Sequence, residues 1–316
     1  MEKIAVVRLD KIGDLILTTP AIASLRATYP NAKLTAIVNQ YNAVVLEHSP
    51  LVDEIWVWKE SREHFKRLQK ERFEQIVVFS PTTKSYVLAW HSKANIRAGY
   101  VYKSRVLVRF FSFFWLNRRL VCQVDQKDLE KKDCIVPHEV EQNLAVVRFL
   151  NPNAVIKEDL VVPILPEKKQ WAKSQLEGDK WVGIHFSRAW QEGLPQNFLK
   201  TLIKKLLESH PVFVIIGPGE YFKNLDFPFG VKIFENLSFQ QWGALLGQAR
   251  VVLSTNTGAV HLASSQNTPV LAVFEPKFFA YHVQRWRPWK VPHILLRKDD
   301  PELLNRLVQE VKKIAS

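Results

Sequence analysis

Short apolar stretches recur along this chain, and each is followed by residues at helical spacing. In the first half they lie at residues 4–7, 33–38, 54–58 and 75–79. The intervening segments at 14–28, 40–48 and 63–72 read as helices. In the first of these, Leu15, Leu17, Ala21, Ile22 and Leu25 fall on one helical face. Pro20 sits inside it and marks a kink or a local start. A second series follows, with strands at 181–186, 212–216, 250–254 and 269–274. Its helices are expected at 196–208, 239–248, 257–265 and 300–314. Strands separated by helices of this length imply parallel sheets covered on both faces. Between the two series, Asn151-Pro152-Asn153, Pro163, Pro166 and a charged stretch read as an interdomain connection. The expectation is an α/β chain of two lobes, 1–160 and 161–298. A closing helix at 299–316 has the first lobe as a place to pack.

Composition narrows the function classes. The chain has 316 residues, a length suited to two domains. Its 47% hydrophobic and 24% charged fractions exclude a mainly disordered chain. The two cysteines, Cys122 and Cys134, cannot form a disulfide framework or a four-cysteine zinc site, and they suit a reducing cytosol. The first residues do not read as a signal peptide, because Arg8, Asp10, Lys11 and Asp14 follow a very short apolar run. No uncharged apolar run approaches the roughly 18–20 residues of a membrane span. The expectation is a soluble chain, or one attached to a membrane surface.

There are 44 basic and 31 acidic residues, a net charge of +13. The 50 residues from 75 to 124 hold no acid but eight bases: Lys84, Lys93, Arg97, Lys103, Arg105, Arg109, Arg118 and Arg119. Aromatics are interleaved, from Tyr100 to Trp115. Such a segment docks on anionic lipid if its apolar residues are exposed, each base contributing roughly 1 kcal/mol. If instead the aromatics are core, the charges only border it. No helix-turn-helix, zinc-finger or RNP pattern accompanies the bases, which makes nucleic acid the weakest partner.

Three turns carry candidate chemistry. Arg8-Leu9-Asp10-Lys11-Ile12-Gly13-Asp14 joins the first strand to the first helix. Asp14 there is a helix cap or a general base, and Asp10 is a second candidate. Ser254-Thr255-Asn256-Thr257-Gly258-Ala259-Val260-His261 puts small polar residues between a strand and a helix, an arrangement that offers N–H groups and hydroxyls to a phosphate. No Walker lysine and no G-x-G-x-x-G accompany it. His185-Phe186-Ser187-Arg188 offers a hydroxyl and a guanidinium, and Gly217-Pro218-Gly219-Glu220 offers a carboxylate.

Together these pieces resemble the heptosyltransferases of lipopolysaccharide synthesis, glycosyltransferase family 9. The likeness runs through residues 8–21, Leu25-Arg26, Tyr29-Pro30, Pro50-Leu51-Val52-Asp53-Glu54 and His138-Glu139-Val140-Glu141-Gln142-Asn143-Leu144. It continues through residues 254–263 and 268–276. The resemblance implies a GT-B fold, two Rossmann-like lobes, with acceptor on the first and nucleotide sugar on the second. It implies inverting, metal-independent transfer from ADP-heptose to a lipid A–Kdo core acceptor, without a cofactor. Asp14 matches the catalytic base. Asn256, Thr257, Gly258 and His261 match the diphosphate turn, and Ser187, Arg188 and Glu220 fall near donor positions. Arg8, Lys11, Arg97, Arg105, Arg109, Arg118 and Arg119 are the candidates for acceptor and membrane. The enzyme is expected to be cytoplasmic and peripheral on the inner membrane. The sequence departs from the family at three places. Asn256 stands where an acid is usual, Gln191-Glu192-Gly193-Leu194-Pro195 lacks the usual donor lysine, and Phe274-Glu275-Pro276 replaces Phe-Gly-Pro. A divergent or non-catalytic sugar-nucleotide or glycolipid binder is the alternative.

Overall fold

The computed structural model describes the chain except residues 123, 126–134, 179, 196, 218–226 and 316. β1 (Lys3–Arg8) leads through α1 (Ile12–Ile16) and α2 (Thr19–Thr28) to β2 (Lys33–Val38) and β3 (Glu54–Val57). α3 (Arg62–Glu71) then returns the chain to β4 (Gln75–Val78), on the other side of β1. α4 (Thr83–His91), β5 (Ile96–Tyr102), α5 (Val106–Trp115), β6 (Arg118–Cys122) and α6 (Glu139–Leu150) complete the first unit, Met1–Val162. The sheet order is β3-β2-β1-β4-β5-β6, and every pairing is parallel. β1 is buried along nearly its whole length, which is why it reads as a continuous apolar run, and β2 is buried as fully although its sequence, with Thr35 inside it, reads as alternating.

The second unit, Pro163–Ser316, repeats the plan. It contains α7 (Pro166–Gln175), β7 (Val182–Phe186), α8 (Phe198–Leu207), β8 (Val212–Ile216), β9 (Lys232–Phe234) and α9 (Phe239–Gln248). β10 (Val251–Thr255), α10 (Gly258–Ser265), β11 (Val270–Phe274), α11 (Phe279–Trp286), β12 (His293–Arg297) and α12 (Leu303–Ala315) follow. Its sheet order is β12-β11-β10-β7-β8-β9, again parallel.

Three local expectations change. The first helix is two helices: Pro20 lacks an N–H, and the Thr19 hydroxyl donates instead to the Ile16 carbonyl at 2.7 Å. The stretch 40–48 contains only a 3-10 turn, Ala43–Val45. Asn39 and Asn42 explain this, because the Asn39 Oδ1 accepts from the N–H of Tyr41 and of Asn42 at 2.8 and 2.9 Å. The closing helix is part of the second unit. Leu303, Leu307, Val311 and Ala315, four residues apart along α12, are buried in that unit's core with Leu202 and Leu206 of α8.

Candidate functional site

Each sheet has a point where its strand order reverses, between β1 and β4 in the first and between β7 and β10 in the second. Open α/β sheets take ligands outside the carboxyl ends of the strands at such points. The two strongest sequence candidates lie there, one in each unit.

In the first unit Arg8 ends β1, and the turn carrying Asp10 and Asp14 is clamped from both neighbouring strands. The Asn39 amide donates to the carbonyls of Leu9, at 2.9 Å, and Asp10. The Asn42 amide donates to the carbonyls of Arg8 and Asp10, at 3.0 and 3.2 Å. From beyond β4, the Ser80 hydroxyl accepts the Leu9 N–H at 2.7 Å. A loop held this way presents its side chains at fixed positions.

Arg8 is the centre of the cluster. Its side chain is 4% exposed, with one guanidinium nitrogen 3.0 Å from Glu139 Oε1 and also donating to the Phe79 carbonyl. The second nitrogen lies 3.3 Å from Asp10 Oδ2 and 3.2 Å from Asp14 Oδ1. The Tyr100 hydroxyl donates to the Phe79 carbonyl at 3.1 Å and sits 3.4 Å from Glu139 Oε1. Burial opposes the charge of Arg8, yet Glu139, Asp14 and Asp10 hold it firmly protonated. Burial likewise pushes the Asp14 carboxyl above the usual carboxylate range. Arg8 pulls it down, while Glu139 and Asp10 repel its charge. Asp14 nonetheless keeps 22% of its side chain exposed, so a substrate hydroxyl has a way to reach it. A carboxylate that is accessible, oriented and more basic than usual is equipped for proton abstraction.

Glu139 lies in the segment 138–144 that resembles family 9, and its role is not visible in the sequence. It opens α6, whose Asn143 amide reaches back to the Leu17 carbonyl and the Thr18 hydroxyl, both at 3.3 Å. That segment therefore supports the Asp14 turn from a distance of more than a hundred residues.

In the second unit Thr257 caps α10, its hydroxyl accepting from the Ala259 N–H at 3.4 Å. Asn256 and Gly258 flank it, half-buried, while His261 is buried one turn further on. The Ser187 hydroxyl, at the end of β7, is 2.9 Å from the Thr255 hydroxyl at the end of β10, so it ties the two strands together. Arg188 is 78% exposed and pairs with Glu192 at 2.9 Å. Glu220 lies outside the described residues. At the end of β11, Glu275 pairs at 2.5 Å with the buried Lys298 beyond β12. The carboxylate that replaces the usual glycine thus carries its own counter-ion.

His185 is a residue the sequence reading passed over while naming its neighbours Ser187 and Arg188. It is buried beneath the Thr257 turn, with Nδ1 at 3.4 Å from the Thr257 hydroxyl and 3.5 Å from that of Ser254. Its ring stacks on Trp242 at 5.3 Å. Burial pushes it down to about 4. An unfolded histidine titrates near 6.5, so below that pH the unfolded chain binds a proton the folded one refuses. The stability contributed by neutral His185 is complete above pH ~6.5 and is lost as the pH falls toward ~4, a change of about 3 kcal/mol. Denaturant melts should show this loss, and His185→Gln should flatten it. An unchanged pH profile in the variant refutes the assignment.

The basic candidates divide. Arg8 is an internal counter-ion rather than a surface contact. Arg97 is absorbed by backbone, donating to the Trp115 and Ala94 carbonyls, each at 2.9 Å. Arg105 makes a two-pronged contact with Asp125 at 2.7 and 3.2 Å, the first acid beyond the acid-free stretch. Arg119 donates to the Arg109 carbonyl at 3.2 Å. Lys11 and Arg118 are exposed and Arg109 is half-buried. None of those three has an ion pair among the described residues.

Two parallel Rossmann-like sheets, each with a polar strand-to-helix turn at its switch point, make up a GT-B-like fold. The description glycosyltransferase family 9 (heptosyltransferase) matches residues 221–312. A putative glycosyltransferase of Haemophilus influenzae is 28% identical over 310 residues, 91% of this chain and 86% of that protein. Lipopolysaccharide heptosyltransferase 3 of Escherichia coli is 21% identical over 309 residues, covering 88% and 83%. Among solved structures, E. coli ADP-heptose lipopolysaccharide heptosyltransferase II matches with a TM-score of 0.74 at 16% identity, over 100% of this chain and 98% of that one. E. coli heptosyltransferase WaaC with ADP matches at 0.71 and 16%, over 99% of each. The chain is similar to glycosyltransferase family 9 enzymes of the lipopolysaccharide-heptosyltransferase kind, and distant from each of these relatives.

Proposed function

We propose that this enzyme transfers heptose from ADP-heptose to the inner core of lipopolysaccharide, with inversion and without a metal. The observation that carries the reading is the Asp14 carboxylate, held by Arg8 at a switch point and made more basic by burial. Asp14 takes the proton of an acceptor hydroxyl as that oxygen bonds to the anomeric carbon. The bond from that carbon to the diphosphate breaks, and ADP leaves with the electron pair. The amino end of α10, with Asn256, Thr257, Gly258 and the nearby His261, receives the diphosphate and stabilises its growing charge. The relative solved with ADP, and WaaC solved with ADP-2-deoxy-2-fluoro heptose, support an ADP-sugar as donor. Ser187, Arg188 and Glu220 belong to the same donor side in this reading. The acceptor is a lipid A–Kdo glycolipid, which places the enzyme as a peripheral protein on the cytoplasmic face of the inner membrane.

The test is to mix the protein with ADP-heptose and a deacylated Kdo-bearing acceptor and to measure ADP release. Release at a rate above that of buffer supports the reading, and ADP-sugar binding without release refutes it in favour of a second. That second reading, a binder without turnover, is favoured by one observation: Arg188, the candidate to replace the missing donor lysine, is engaged by Glu192.

Thr257 gives a separate check on the donor turn. Thr257→Val keeps the shape but removes the capping hydroxyl, so α10 loses about 1 kcal/mol and the diphosphate loses one donor. ADP should bind roughly five- to tenfold more weakly by calorimetry. Unchanged affinity would remove this turn from the donor site.

A further inference from the structure

α5 is a helix turned inside out. Its sequence, Val106 to Trp115, is the most apolar of any helix in the first unit, yet the residue it buries is Ser112. Val106, Leu107, Phe110, Phe111, Phe113 and Phe114 are between 47% and 74% exposed. At 3.6 residues per turn these six positions fall within an arc of about 160°. Val108 and Trp115, on the opposite side, pack against the core of the unit. The Ser112 hydroxyl donates to the Arg109 carbonyl at 2.6 Å, which lets a polar side chain face inward. An apolar face this size on a protein surface marks an interaction site.

Charge identifies the occupant. No acid lies between residues 75 and 124, so nothing on this segment repels an anionic surface. Lys103 precedes α5 and Arg118 opens β6, the edge strand that follows it; both are exposed. Neither has an ion pair among the described residues, and nor does Arg109. Arg119 lies over the Phe113 ring, 3.1 Å from its centroid, which sets a cation directly on the apolar face. At ten residues α5 is about 15 Å long, half the thickness of a bilayer core, and no helix among the described residues is long and apolar enough to span one. Exposed phenylalanines rimmed by bases that have no ion pair among the described residues are the features of a helix that lies in the headgroup layer.

We infer that α5 inserts its phenylalanine face into an anionic lipid surface, with Lys103, Arg109 and Arg118 meeting the headgroups. The inference deepens the reading of a membrane-borne acceptor and rests on it only for the lipid's biological place; the surface itself stands on exposure and charge.

The experiment is co-sedimentation of the full chain with vesicles of phosphatidylglycerol and phosphatidylcholine, and with phosphatidylcholine alone. Binding should require phosphatidylglycerol and weaken with salt. The triple variant Phe110→Ser, Phe113→Ser and Phe114→Ser should bind more than about a hundredfold more weakly, because it removes three large apolar side chains. Arg118→Glu should cost at least about fivefold. All of these residues face solvent, so thermal melting should match the parent and exclude misfolding as the cause. Vesicle binding that persists in the triple variant overturns the inference. So does the absence of vesicle binding together with a dimer, seen by sedimentation velocity, that the triple variant abolishes. ADP release from ADP-heptose in the presence of the water-soluble deacylated acceptor separates the two readings. The triple variant should retain it, whereas a parent chain that binds vesicles but releases no ADP would count against the transferase and not against the surface.

Discussion

Asp14→Asn should abolish turnover while leaving the donor site intact. The substitution keeps the size and the Lys11 N–H contact but removes the group that accepts a proton. General-base loss reduces rate by about 10²–10⁴-fold, and kcat for ADP release is the quantity that should carry it. The affinity for ADP should not change, because Asp14 is not among the groups proposed to hold the diphosphate. In the parent, kcat should fall on the acid side as Asp14 takes up a proton. That limb should lie above the ~3.9 of an ordinary aspartate, since burial raises the carboxyl. A variant with more than a tenth of parental turnover, or an acid limb at the ordinary carboxylate position, would show that another group is the base.

Arg8→Met should be the most destabilising single change in the first unit. Removing the guanidinium takes the Arg8 ion pair away from Glu139, itself 3% exposed, and frees Asp10 and Asp14 to repel one another. Breaking a buried pair from one side costs about 3–5 kcal/mol. Thermal melting and urea midpoints should both drop accordingly. Adding Glu139→Gln should recover part of the loss, because it removes the stranded charge. Arg8→Lys should recover little: an ammonium is a single point, and Arg8 spans Glu139, the Phe79 carbonyl and two aspartates with two nitrogens. A near-parental melt for Arg8→Met would mean that the cluster is not a unit of stability.

The two substitutions test one design from opposite sides. A buried arginine shared among three carboxylates anchors the turn through Glu139 and leaves Asp14 the exposed member of the set. Burial makes Asp14 more basic than a surface aspartate, and the positive charge of Arg8 works against that rise. The same residue therefore serves stability and chemistry.

The sequence by itself determined the alternation of strands and helices, the division into two α/β units, and the turns that hold Asp14 and Thr257. These are local matters. An apolar run, a following helix period and a capping residue are settled by neighbours in the chain, and strand ends need no distant partner to be recognised. Tertiary structure decided what distant residues do to one another. Glu139 reaches Arg8, and Asp125 pairs with Arg105. Asn39 and Asn42 spend their side chains on the Asp14 turn and so prevent a helix at 40–48. α5 is the clearest case. Its composition suits a buried helix, because phenylalanine belongs in a core wherever a core is available. Which face a helix buries depends on what lies beneath it, and here β5 and the edge of the sheet admit only Val108, Ser112 and Trp115. The remaining aromatics face solvent for that reason, beside bases that no acid in their own stretch of chain can neutralise.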